Sequence, residues 1–145
     1  MGQAKQTAEP KDCPICRRHS GRQERLIKEF EESILVLNED QFFRGYCFLE
    51  YRRHVRELFD LKAGARNRFV ATLTRAAQAL NALYRPDKMN CELIGNKVPH
   101  LHWHLIPRFS SDPAWPEPVW TKVHPPHRLP EAEMERLIEE IRGAL

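Results

Sequence analysis

Three histidines stand at alternate positions in His100-Leu101-His102-Trp103-His104. Alternate residues of a β-strand face the same side. The spacing therefore predicts three imidazoles on one sheet face, roughly 6.5–7 Å apart, with Leu101, Trp103 and Leu105 packing on the other. Three readings fit that pattern. The first is a solvated face or a set of satisfied core histidines, in which each buried ring needs a partner. The second is a metal site, in which two of the histidines ligate and the remaining ligands come from elsewhere, because the outer two are too far apart for one ion. The third is nucleophilic imidazole. A neutral ring held in one tautomer offers its other nitrogen to phosphorus. Three histidines in strict alternation weigh against casual placement.

A second group that can do chemistry is Cys13-Pro14-Ile15-Cys16. This is the close spacing of a metal knuckle or a redox pair. Two cysteines supply two ligands where a structural zinc wants four. The free candidates are His19, His54, His100, His124 and His127. His19 is three residues from Cys16 and would crowd the knuckle. No thioredoxin-like βαβ pattern surrounds the pair, so redox chemistry ranks last. Cys47 and Cys91 lie in apolar, strand-like stretches and are expected to be buried packing residues.

The elements that must position these groups are legible from periodicity. Arg25–Phe30 and Ser33–Leu37 are short apolar runs that predict a hairpin. Asn38-Glu39-Asp40 reads as a turn, and Tyr46–Tyr51, entered through Gly45, as a third strand. His54–Leu61 carries Val55, Leu58 and Phe59 at helical spacing and is expected to be a short helix that Gly64 breaks. Ala65–Tyr84 is the strongest helix, with Phe69, Leu73, Ala76, Ala77, Leu80, Leu83 and Tyr84 on one stripe and Pro86 as its stop. Met89–Ile94 and Leu101–Phe109 predict two more strands joined by the turn Gly95-Asn96. Residues 110–130 are proline-rich and predict irregular structure; Trp115 and Trp120 there are expected either to pin the loop to a surface as a structural wrap or, since the segment follows the histidine strand, to shape one side of its site. Glu131–Leu145 reads as an amphipathic helix with Met134, Leu137, Ile138, Ile141 and Leu145 on one side. Short connections make the class α+β, with an antiparallel sheet of about five strands, one long helix and a C-terminal helix.

The 145 residues suit one domain with one core, and 41% hydrophobic with 30% charged residues is a globular balance. No apolar run approaches the roughly 18–20 residues that span a bilayer. Residues 1–11 are polar, resemble a mobile tail and lack an apolar signal core, so the expected compartment is cytoplasmic and reducing, where disulfides are a poor default. The net charge of +3 does not argue for nucleic acid. Arginines gather at Arg17, Arg18, Arg22 and Arg25 and at Arg52, Arg53 and Arg56. These form either a solvated basic surface or a field that attracts an anionic ligand.

At this point the sequence resembles the histidine triad family of nucleotide hydrolases and transferases. Its pattern is His-φ-His-φ-His-φ-φ, with φ apolar, and His100-Leu101-His102-Trp103-His104-Leu105-Ile106 matches every position. The resemblance extends to Gly95-Asn96-Lys97-Val98-Pro99, to Asn90, and over roughly residues 12–112. Trp103, Pro107-Arg108-Phe109 and Asp112-Pro113 look like a bacterial branch. The resemblance implies that His102 attacks the α-phosphorus of a nucleoside phosphate conjugate and forms a nucleotidyl-histidine that water hydrolyses. It implies a backbone carbonyl on the other nitrogen of His102, phosphate contacts from His104 and Asn90, and Asn96 and Lys97 near the phosphate or the leaving group. Many members carry a serine or threonine where this chain has Lys97.

The resemblance further implies a ribose and base cleft for which Phe30, Ile34, Leu35, Leu37 and Asn38 are candidates, with Asn38 contacting ribose; Phe30, Leu35 and Leu37 individually read at least as well as core residues. Some branches hold a structural zinc; carried over, its ligands are Cys13, Cys16, His54 and His100. A homodimer is implied as well, with no nucleic-acid or membrane partner. Two alternatives stay open: a nucleotide-binding sensor or scaffold with little turnover, and a hydrolase whose nucleophile is a zinc-bound water.

Overall fold

Leu35, Leu37, Cys47, Leu49, Tyr51 and Leu105 point to one side of a sheet and are fully buried there. Val36, Phe48, Glu50, His102, His104 and Ile106 alternate with them and point to the other. The computed structural model describes residues 10–145, so most of the expected tail, residues 1–9, lies outside the described residues. The elements are α1 (Pro14–Ser20), β1 (Leu26–Glu29), β2 (Ser33–Leu37), β3 (Cys47–Tyr51), α2 (Ala63–Tyr84), β4 (Lys88–Leu93), β5 (His102–Arg108) and α3 (Glu131–Ala144). The five strands form one antiparallel sheet in the order β1-β2-β3-β5-β4, the α+β class expected.

Helices α2 and α3 cover the first face. Phe69, Leu73, Ala76 and Leu80 of α2 and Leu137, Ile138 and Ile141 of α3 complete the core with the strands. Burying a large apolar side chain stabilises by about 1.5–3 kcal/mol each, so this layer dominates the fold's stability. The second face is covered only in part, by α1 and by the proline-rich segment. Phe43, Tyr46, Ile106, Ala114 and Val119 form a small separate cluster under that segment. Arg108 pins the segment from below and is almost wholly buried. Its Nε and Nη2 donate to Asp112 at 2.6 and 3.0 Å, and Nη2 also donates to the Glu117 carbonyl at 2.9 Å.

Four local expectations need correction. Over His54–Leu61 the only helical geometry is a single 3₁₀ turn, Leu58–Asp60. The stretch before it is extended, because the Val55 carbonyl is taken by the Leu101 N–H. Gly64 does not end a short helix before it but sits in the first turn of the long helix α2. Strand β5 starts at His102, so His100 and Leu101 belong to the loop that leads in. Cys91 is exposed on the edge strand β4 rather than buried. Among the described residues no helix is long and apolar enough to cross a membrane.

Candidate active site and metal cluster

Strand β5 places His102 and His104 on the half-open face, opposite Glu50 and Phe48 of β3. Their ring centroids are 4.9 Å apart. Nδ1 of His102 lies 2.5 Å from the carbonyl oxygen of His100. A carbonyl only accepts, so that contact requires the proton on Nδ1 and leaves the Nε2 lone pair free. Phe48 flanks both rings edge-on, at 6.0 and 5.1 Å between centroids.

His104 is held differently. Its Nδ1 is 2.7 Å from the Tyr46 hydroxyl. Burial, followed by the charges of Glu92 and Asp40, pushes the Tyr46 phenol upward, so it keeps its proton and can donate it. Burial, with His102 beside it, holds the His104 imidazole down at about 4, so at neutral pH the ring is uncharged. A cleft of about 390 Å³ opens beside His104, lined among others by Asn38, Phe48, Trp120 and His124. The Trp120 ring meets His104 edge-on at 5.1 Å, and its Nε1 donates to Glu92 at 3.0 Å. His124 stacks on Phe42 with centroids 3.6 Å apart.

His100 turns away from this cleft. It is fully buried, and its Nε2 donates to the Tyr51 carbonyl at 2.7 Å, which leaves Nδ1 bare. That nitrogen lies 3.4 Å from Cys13 Sγ, 3.4 Å from Cys16 Sγ and 3.3 Å from His54 Nδ1. Cys16 Sγ is 3.3 Å from His54 Nδ1. All four donor atoms lie within 4.8 Å of one another. Tetrahedral zinc with ordinary bond lengths needs ligand–ligand distances of about 3.3–3.8 Å, so the set fits that ion. Burial, then the adjacent Cys13, pushes the Cys16 thiol up to about 11, a cost that a bound cation offsets by taking the thiolate.

Local sequence explains how the pair is presented. Cys13 caps α1, accepting from the Cys16 N–H at 3.5 Å, and Pro14 sits at the first helical position, where no N–H is needed. The same helix packs the His19 ring edge-on against His100, with centroids 5.9 Å apart, but turns the ring's Nε2 to Glu50 rather than to the cluster. That nitrogen lies 2.8 Å from Glu50 Oε2, and Arg18 also pairs with Glu50, a carboxylate 1% exposed.

The remaining candidates are spread out. Asn38 lines the cleft. Asn96 and Lys97 stand exposed on the loop before His100, with no side-chain hydrogen bond among the described residues. Asn90 is not drawn to either catalytic candidate; its Oδ1 accepts from Arg108 Nη1 at 2.9 Å. Leu35 and Leu37 are in the helix-side core and Phe30 packs against it, so none of the three lines the cleft. Ile34 is buried and does not line it either. Sequence reasoning missed Tyr46 and Phe48. Their signal was available: counting back by two from Glu50 puts both on or next to the histidine face.

A HIT-domain family pattern matches residues 20–111. A histidine triad protein of Bradyrhizobium japonicum is 30% identical, with a TM-score of 0.76 over 81% of this chain and 87% of that one. One from Marinobacter aquaeolei is also 30% identical, with a TM-score of 0.77 over 83% and 87%. A zinc-bound histidine triad family protein of Mycobacterium smegmatis shares the fold at 22% identity, with a TM-score of 0.69 over 93% and 96%. Among curated proteins nothing matches.

Proposed function

The chain belongs to the histidine triad family, and from that premise we propose that it is a nucleotidyl hydrolase or transferase acting at the α-phosphate of nucleoside phosphate conjugates, phosphoramidates or dinucleoside polyphosphates. The observation that carries this reading is the His102 Nδ1 contact to the His100 carbonyl. It prepares the opposite nitrogen, Nε2, as a nucleophile at neutral pH.

In the first step the Nε2 lone pair forms a bond to the α-phosphorus while the bond to the leaving oxygen or nitrogen breaks. The leaving group departs with the electron pair and takes up a proton. Water then attacks the nucleotidyl-histidine, releases the nucleoside monophosphate and restores Nε2. Negative charge on the phosphoryl oxygens needs donors fixed beforehand. With the Tyr46 O–H on its Nδ1, His104 presents Nε2–H as one of them. Asn96 and Lys97 reach the phosphate or the leaving group from their loop, Lys97 as a point charge. Asn90, whose Oδ1 is taken by Arg108, supplies an N–H of its amide nitrogen to the phosphate. Asn38 contacts ribose, and the aromatic cleft beside it receives the nucleoside.

Cys13, Cys16, His54 and His100 hold a structural zinc in this reading. All four tetrahedral positions are protein side chains, which leaves no open place for a catalytic water. That favours the imidazole nucleophile over a zinc hydroxide. The molecule pairs as a homodimer through the edge strand β4 and the adjacent face of α2. Leu73, Ala77, Met89 and Cys91 line a shallow apolar groove there, beside unpaired strand edge. The cytoplasm is the compartment that suits reduced thiols.

Rapid mixing with an adenosine phosphoramidate or a dinucleoside polyphosphate, followed by mass spectrometry, tests the catalytic reading. A nucleotidyl adduct on the wild type that is absent from His102→Ala is expected. Turnover with no adduct on any quench time scale, and full activity in His102→Ala, overturns it.

A further inference from the structure

The strand order sets the direction in which a bound nucleotide lies. The sheet runs β1-β2-β3-β5-β4. The aromatic cleft opens on the β2 and β3 side of His104, where Asn38 and Phe48 line it. His102 and His104 stand on β5. A nucleoside in the cleft with its α-phosphate at the histidines leaves one side for the departing group, the side of β4. Antiparallel partners share a face, so Glu92, opposite His104, projects from β4 beside the phosphate-binding ring. Glu92 is the only acidic residue of β4.

Its carboxylate is held in place. Glu92 is half-buried, and its Oε2 accepts from Trp120 Nε1 at 3.0 Å. The Trp120 ring meets His104 edge-on, with centroids 5.1 Å apart. The indole thus stands between the cleft and β4 and fixes the carboxylate next to the site. An indole N–H is a neutral donor, so the negative charge of Glu92 is kept. Its reach is visible at Tyr46, the partner of His104: after burial, Glu92 is the leading cause that pushes that phenol upward.

We infer that Glu92 selects the leaving group by charge, favouring conjugates whose departing amine carries a cationic group and disfavouring those whose departing part is a further anion, as in polyphosphates. This rests on the reading above that His102 transfers a nucleotidyl group. The α-phosphoryl oxygens are common to every substrate, so their repulsion by Glu92 cancels in a comparison. What differs is the departing side, where a carboxylate attracts an ammonium and repels a second anion. Lys97, exposed on the loop after β4, brings one positive charge to the same part of the chain. Changing Glu92 alone separates the two.

The test uses the full chain as purified and three adenosine 5′-phosphoramidates of one chain length. Their amines end in an ammonium, a hydroxyl or a carboxylate. Glu92→Gln keeps an oxygen for the Trp120 N–H and removes only the charge. Dividing each wild-type kcat/KM by that of the variant removes the intrinsic differences between the amines. This quotient is expected to fall from ammonium to hydroxyl to carboxylate, by about two- to fivefold at each step, the worth of one partly exposed charge pair. Salt gives a readout that needs no variant. In the wild type, raising it is expected to slow the ammonium substrate and to speed the carboxylate substrate, each relative to the hydroxyl one.

Equal quotients for the three substrates overturn the inference, because a residue that only holds Trp120 moves all three alike. A wild type whose three rates keep their ratios as salt rises overturns it as well. Failure of all three to give a His102 adduct overturns the nucleotidyl reading, and the inference with it. Adducts formed without charge preference sink the inference alone.

Discussion

The two ends of the histidine run are built from the same residue type and put to opposite uses. His100 and His104 are both buried, and burial is the first cause that lowers each to about 4. Their difference lies in what each ring nitrogen meets. His100 meets a carbonyl on one side and a closed set of soft donors on the other, which is a structural metal environment. His104 meets a hydroxyl on one side and an aromatic cleft on the other. His102, between them, has a carbonyl on one nitrogen and, among the described residues, no hydrogen-bond partner on the other. The titration of an imidazole says little about its role; the partner of its second nitrogen says most of it.

The largest effect that sharpens this contrast comes from the middle residue. His102→Ala is expected to lower kcat/KM by at least roughly 10³-fold, because a nucleophile has no substitute within reach. Its melting temperature should stay near that of wild type. A variant that keeps turnover and instead unfolds would reverse the assignment of catalytic and structural roles. His104→Ala should cost far less in kcat/KM, because it removes one donor among several.

The converse experiment acts on the other end. Cys16→Ser removes a soft ligand from a buried cluster and leaves the cleft untouched. A loss of about 3 kcal/mol is expected, read as a fall of about 10 °C in melting temperature. The nucleotidyl adduct should still form below that transition, more slowly. Loss of the adduct with unchanged melting would mean that the cluster acts in the chemistry itself.

Much of this division was legible in the sequence, and the exceptions are instructive. From β1 onward the strand–strand–strand–helix–strand–strand–helix order followed from periodicity, because each element buries one face against the same core, whereas the short helix α1 was not foreseen. The four cluster residues came from resemblance, since spacing alone left five histidines as partners for two cysteines. What failed was local. The alternation suggested one shared face, yet β5 begins at His102 and His100 bends off to the knuckle. Val55, Leu58 and Phe59 mimic helical spacing, but the backbone there is claimed by the loop entering β5. Leu35 and Leu37 looked like parts of a ligand cleft and belong to the helix-side core, because parity along β2 sends them there, and Phe30, just past the end of β1, packs against that core. The real cleft draws on Trp120 and His124 of the proline-rich segment, whose path no periodicity encodes.

The pH response offers a smaller test. The folded pKa of His104 lies near 4, below its unfolded value near 6.5. Between those two values the unfolded chain binds more protons than the folded one, so stability falls as pH falls through that window and is complete above it. Wild type is expected to lose on the order of 1–2 kcal/mol more than His104→Ala between pH 6.5 and 4, measured by denaturant unfolding at each pH. Parallel curves for the two proteins would place the acid sensitivity elsewhere.

The finest distinction concerns Tyr46. Its hydroxyl, a donor, is what separates the environment of His104 from that of His100, whose ring N–H donates to a carbonyl. Tyr46→Phe keeps the ring against Phe48 and Val119 and deletes only the O–H. His104 Nδ1 then has no donor, the two neutral tautomers become closer in energy, and Nε2–H is no longer guaranteed to face a phosphoryl oxygen. One neutral hydrogen bond is worth about 1 kcal/mol, so KM should rise about three- to tenfold. The His102 adduct should still form, because that nitrogen is set from the other side by His100. An unchanged KM would mean that the cleft shapes the substrate by stacking alone and that His104 finds its tautomer from the phosphate it binds.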